Sequence, residues 1–117
     1  MMAELKGLHS PDVADLQTWT PESSDFAILL QITAGPASGR GEASFDTTLC
    51  SSTWVAARVA EARVLEVSHL LIMAKYNYEQ LHEYLSERVS ACEGDTWRDV
   101  AREMSRIGRW EFEHYDA

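Results

Sequence analysis

The run Phe26-Ala27-Ile28-Leu29-Leu30-Gln31-Ile32-Thr33, the turn-rich stretch Gly35-Pro36-Ala37-Ser38-Gly39-Arg40-Gly41 and the segment from Glu42 to Cys50 together decide the fold class. In the first, Phe26, Ile28, Leu30 and Ile32 alternate with Ala27, Leu29, Gln31 and Thr33, and the near-continuous apolarity is that of a central strand. In the last, Ala43, Phe45, Thr47 and Leu49 share one face while Ser44, Asp46 and Thr48 share the other, as in an antiparallel strand with one wet face. The glycines and proline between them predict a hairpin loop.

Upstream, Ala3 to Leu8 predicts a first strand with Leu5 and Gly7 on one side, and Asp12 to Asp25 a polar loop. Downstream, Ser51-Ser52 offers an N-cap for a helix to about Ala62, with Trp54, Val55, Arg58 and Val59 at helical spacing and Trp54 as a core residue. Val64 to Met73 predicts a fourth strand. Asn77 caps a helix to about Cys92 whose stripe is Leu81, Tyr84, Leu85, Val89 and Cys92. Thr96 caps a last helix carrying Trp97, Val100, Ala101, Met104 and Ile107, with Gly108 as its stop. Arg109 to Tyr115 alternates as a terminal strand or packed tail. The order predicts an α+β fold: an antiparallel sheet of about four strands with two to three helices packed on one face, in a single domain over residues 1–117.

The charge ranks partners. Nineteen acidic against ten basic side chains leave −9, which a duplex or an anionic lipid surface repels, so neither nucleic acid nor a membrane is an expected partner. No apolar run reaches the length of a membrane span, and the charged first residues do not resemble an export signal, so the expected compartment is the cytoplasm. Cys50 and Cys92 form no metal-binding spacing and are expected to be free, buried thiols.

Signals for catalysis are weak throughout. No nucleophile elbow is present, and the glycine loop leads into a strand where a phosphate cradle would need a helix N-terminus. His9, His69, His82 and His114 are scattered, without the spacing that puts two metal ligands on one helix face. His9 with Asp12 could form an acid–base pair, and His69 could join them, against the plainer reading of structural histidines. No catalytic, cofactor or metal residue is therefore expected. Glu79, Glu83 and Glu87 line one face of the second predicted helix, a solvated face or one that attracts a cationic partner. With Glu93, Asp95, Glu111 and Glu113 they gather acids in the C-terminal half, where Trp110 is an aromatic anchor candidate.

Ala3-Glu4-Leu5-Lys6-Gly7-Leu8-His9-Ser10-Pro11-Asp12, Leu29-Leu30-Gln31 with Gly35-Pro36, and Glu42-Ala43-Ser44-Phe45-Asp46 resemble the immunity protein 8 family of bacterial polymorphic toxin systems. Cys92-Glu93-Gly94-Asp95-Thr96-Trp97 and Ser105-Arg106-Ile107-Gly108-Arg109-Trp110-Glu111-Phe112-Glu113 resemble its C-terminal signature. The likeness spans nearly the whole chain in the same order. It departs between Arg58 and Lys75, where Glu66-Val67-Ser68 stands before His69 in place of a basic, glycine-containing stretch. The resemblance implies a cytoplasmic antitoxin, without catalytic residues, that binds and blocks a toxin domain.

The expected function is thus stoichiometric neutralisation of a cognate toxin domain, a basic protein such as a nuclease, by a monomer or weak homodimer. The expected contact residues are Glu79, Glu83, Glu87, Glu93, Asp95, Trp110, Glu111 and Glu113. The alternative is a small enzyme or ligand-binding domain built on His9, Asp12 and His69.

Overall fold

The computed structural model describes residues 1–111. Its elements are β1 (Ala3–His9), β2 (Ala27–Pro36), β3 (Ala43–Ser51), α1 (Ser52–Ala62), β4 (Leu70–Met73), α2 (Tyr78–Ser90), α3 (Trp97–Met104) and β5 (Arg109–Trp110). The strands make one mixed sheet in the order β1-β2-β3-β4, with β5 pairing on β3. The fold is α+β and the sheet is mostly antiparallel.

The hairpin predicted from the opening stretch forms with Ile28 opposite Leu49, Leu30 opposite Thr47 and Ile32 opposite Phe45. This register places the alternating apolar sets of both strands on one face. Leu30, Ile32, Phe45 and Leu49 are wholly buried there. Gly35 permits the tight return: a Cβ on it would stand 2.0 Å from the Gly41 carbonyl oxygen. On β1 a register shift between Leu5 and Gly7 pairs Leu5 with Ala34 and Leu8 with Ile32. The extra residue moves Gly7 to the outer face opposite Thr33, so Leu8, rather than the expected Gly7, shares the inner face with Leu5.

The fourth strand departs from expectation in length and direction. Arg63 and His69 take positive φ, which breaks the extended run, and Val64 is 82% exposed. Only Leu70–Met73 remains as a strand, and it runs parallel to β3. A helix between neighbouring strands carries the chain back to the starting end, so the second strand must point the same way. Helix α1 is that crossover. It has no buried residue, and Trp54, expected in the core, is half-buried beneath the Arg58 guanidinium at 5.8 Å.

Helices α2 and α3 cover the inner face. Leu81, Leu85 and Val89 of α2 and Val100, Ala101 and Met104 of α3 join the sheet's apolar residues in one core. Asn77 Oδ1 accepts from the Gln80 amide at 2.9 Å, and Thr96 with Asp99 completes a capping box. Trp97 is half-buried, short of the full burial its place in the stripe implied. α3 stops at Met104 with Ser105 as its C-cap; Gly108, expected as the stop, lies farther on and donates its amide to the Met104 carbonyl at 3.3 Å, while its absent side chain serves another end. A Cβ there would stand 2.9 Å from the Phe45 carbonyl carbon, so glycine lets the chain cross close over β3. Among the described residues no helix is long and apolar enough to cross a membrane.

Candidate functional site

Helix α2 positions the largest set of expected contact residues. Its buried positions recur every four residues at Leu81, Leu85 and Val89, a narrow stripe that leaves the rest of the helix to solvent. Glu79, Glu83 and Glu87 form the exposed row that the sequence predicts. Tyr84 lies one position short of Leu85, about 100° around the helix, and is 52% exposed; it does not belong to the buried stripe expected for it. His82 is exposed on a different side of the helix from Tyr84, its ring 5.8 Å from that of Tyr78.

Two clefts flank this face. At the N-terminal end of α2, Gln17, Trp19, Tyr76, Asn77, Tyr78 and Glu79 line a recess of about 500 Å³. Away from α2, Trp19 and Tyr76 also wall a recess of about 460 Å³ over Phe26 and Lys75. Trp19 stacks edge-on against Phe26 and Tyr76 with ring centroids 5.4 and 4.6 Å apart. Tyr76 donates its hydroxyl hydrogen to the Leu16 carbonyl at 2.5 Å, and burial pushes its pKa up to about 12. The second cleft lies between α2 and β4, about 240 Å³ lined by Leu71, Ile72, Met73, Gln80, Leu81 and Tyr84.

The other expected contact residues are dispersed. Glu93 bridges to Met2 and Asp95 precedes the α3 cap, both exposed beyond the far end of a helix about 20 Å long. Glu111 exchanges hydrogen bonds with Ser44, its Oε1 accepting the Ser44 amide at 3.2 Å and its own amide donating to the Ser44 carbonyl at 3.3 Å. Trp110 is half-buried and stacked on Phe45 at 6.4 Å, a packing role rather than an exposed anchor. Glu113 lies outside the described residues, as do Phe112 and His114. Between these acids Arg98 and Arg102 of α3 and Arg106 just beyond it are exposed, so the C-terminal half does not form one acidic surface. The coherent feature is the α2 row with its aromatic borders. Sequence reasoning missed Trp19, Tyr76 and Tyr78; the signal was the tyrosine on each side of the Asn77 cap.

The histidines and Asp12 do not converge. His9 ends β1 and His69 precedes β4, at opposite edges of a sheet whose strands lie about 4.8 Å apart. Asp12 Oδ2 accepts the Leu29 amide at 2.9 Å, which commits its carboxylate to the sheet. His69 Nε2 lies 2.7 Å from the Ser105 carbonyl, and since a carbonyl only accepts, that nitrogen carries the proton. His69 also takes the Thr47 hydroxyl on its own carbonyl at 2.7 Å. Both are structural. Cys50 and Cys92 are free and buried, and burial raises both thiol pKa values. No group of three metal-ligating side chains occurs among the described residues.

A family model described as Immunity protein 8 matches residues 3–115. No curated protein and no solved structure matches the chain. With a match over nearly the full length, the chain belongs to the immunity protein 8 family.

Proposed function

We propose that this immunity protein neutralises a cognate toxin domain by binding it one to one and covering its active surface, with no catalysis of its own. The observation that carries the reading is the exposed face of α2: Glu79, Glu83 and Glu87 in a row, bordered by Trp19, Tyr76 and Tyr78 at one end and by Tyr84 along one side. Like charges at i, i+4 and i+8 weaken a helix by a few tenths of a kcal/mol per pair, a cost that a binding role accounts for. Carboxylates beside half-exposed aromatic rings suit a partner that presents lysine and arginine, and the rings supply the desolvated contact from which affinity comes.

A nuclease is the toxin class that this charge fits best, because a protein that holds phosphate is basic where it holds it. The compartment that fits is the cytoplasm, with the free protein a monomer or weak homodimer of one domain. Glu93, Asp95, Glu111 and Glu113 contribute to the long-range field, while Trp110 holds β5 to the sheet. Co-expression with the toxin domain encoded beside it, followed by purification through a tag on the toxin, tests the proposal. A stoichiometric complex is expected. Recovery of the toxin alone from cells containing both folded proteins would overturn it.

A further inference from the structure

The two edges of the sheet are treated differently by the sequence. β1, at one edge, carries Glu4 and Lys6, a register shift at Gly7, and a cover over its start, where Ala3 donates to the Cys92 carbonyl and Gly94 to the Met1 carbonyl. These are the devices by which proteins keep an edge from pairing with a foreign strand. β4, at the other edge, is Leu70-Leu71-Ile72-Met73, with no charge, no proline and no register shift. Apart from Met1 and Met2, every large apolar side chain strongly exposed among the described residues lies between Val59 and Tyr84, on the segments that lead into, form and flank this strand.

The pairing fixes which backbone groups are open. The Thr48 amide donates to the His69 carbonyl at 3.0 Å, so in a parallel ladder Leu71 and Met73 turn their amides and carbonyls toward β3. Leu70 and Ile72 then turn theirs outward, where no described strand receives them. Ile72 is 50% exposed, beside the cleft whose far wall is Gln80, Leu81 and Tyr84.

From this geometry we infer that the toxin docks by adding an extended strand to β4, with the Ile72 amide and carbonyl as the central backbone contacts. The inference rests on the proposed antitoxin role and specifies its binding mode. The added strand carries apolar side chains at alternate positions to fill the cleft at Ile72 and Tyr84. It carries lysine or arginine toward Glu83, next to Tyr84 on α2, and a carboxylate toward Arg88 and Arg106 at the His69 end of the groove. A second copy of this chain is the poorer occupant, since two molecules of charge −9 would meet across a four-residue edge.

Hydrogen exchange on the free chain and on its complex with the co-expressed toxin domain reads the edge directly. The Ile72 amide should exchange on the order of a hundredfold more slowly in the complex. Ile72→Pro, which removes the outward donor, and Ile72→Lys, which keeps it but charges the edge, should each weaken binding about tenfold or more. Melting of each free variant shows that it remains folded. If the wild type forms the complex but the Ile72 amide is unchanged and Ile72→Lys binds normally, strand addition is overturned while the antitoxin role stands. If the wild type forms no complex, the role fails and takes the docking mode with it. A free wild type that sediments as a dimer with Ile72 already protected would assign the edge to self-association and overturn the proposal.

Discussion

Where β1 leaves the sheet after His9, the Leu29 amide of β2 would face solvent, and Asp12 Oδ2 accepts it at 2.9 Å in place of a strand. Asp12→Ala should therefore destabilise the protein by about 1–2 kcal/mol in urea denaturation and leave toxin binding intact. Loss of binding in the folded variant would give Asp12 a role beyond the sheet. Tyr76 offers a pH-dependent counterpart. Its pKa rises from 10.0 to about 12, chiefly through burial and then through the nearby Tyr78 and Asp15. Between those values the unfolded chain loses the proton first, so stability falls as pH climbs, while below 10 the contribution is complete. Tyr76→Phe should remove that part of the alkaline slope and cost about 1 kcal/mol at neutral pH by leaving the Leu16 carbonyl unpaired. An unchanged slope between pH 10 and 12 would show that Tyr76 titrates normally.

At the scale of elements, the start of α1 is held by Thr53, whose hydroxyl donates to the Ser24 carbonyl at 3.0 Å, and above all by Ser51. The Ser51 hydroxyl, fully buried, accepts the Trp54 amide and the Phe26 amide, both at 3.1 Å, tying the helix start to the residue that leads into β2. Ser51→Ala should cost about 2–3 kcal/mol, more than an ordinary cap, because two amides lose their acceptor. The central hairpin was legible because alternation in Phe26–Thr33 and Glu42–Cys50 reports burial directly, and α2 and α3 because Asn77 and Thr96 announce their starts. Two elements were less legible. Val64 to Leu70 has a strand's composition, but positive φ at Arg63 comes with the C-cap of α1, where its amide bonds the Val59 carbonyl at 2.7 Å, and His69, also at positive φ, is bonded to the Ser105 carbonyl, a tertiary contact that no local pattern contains. α1 has a helical repeat of apolar residues yet buries none, because periodicity shows which residues share a face and not whether anything covers it. The site was half legible: the glutamate row is local to α2, whereas Trp19 reaches Tyr76 only through the fold. The row itself sets stability against function. Changing Glu79, Glu83 and Glu87 together to Gln should raise the melting temperature slightly while slowing association with the toxin. A variant that melts higher and associates as fast would mark the row as solvated surface.

For the whole molecule, a charge of −9 on 117 residues sets a field, and the fold decides where that field is useful. Arg98 and Arg102 on α3 and Arg106 just beyond it interrupt that field in the C-terminal half, whereas Glu79, Glu83 and Glu87 make an exposed acidic row along α2. On the proposed reading, a basic toxin would be steered toward that face and then held by apolar contact at its borders. Steering acts on the association rate and fades as salt shortens the Debye length to about 8–10 Å and below. Trp19→Ala should act on the other limb, speeding dissociation and leaving association nearly unchanged. The measurement that bears most directly on the proposed interface is the association rate of the cognate toxin domain with the wild type and with a variant changing Glu79, Glu83 and Glu87 to Lys, at low and at high salt. The predicted result is fast, salt-sensitive association for the wild type, and association slowed about tenfold or more with little salt dependence for the variant, which stays folded. A rate indifferent both to salt and to the three reversals would contradict docking through the acidic face of α2.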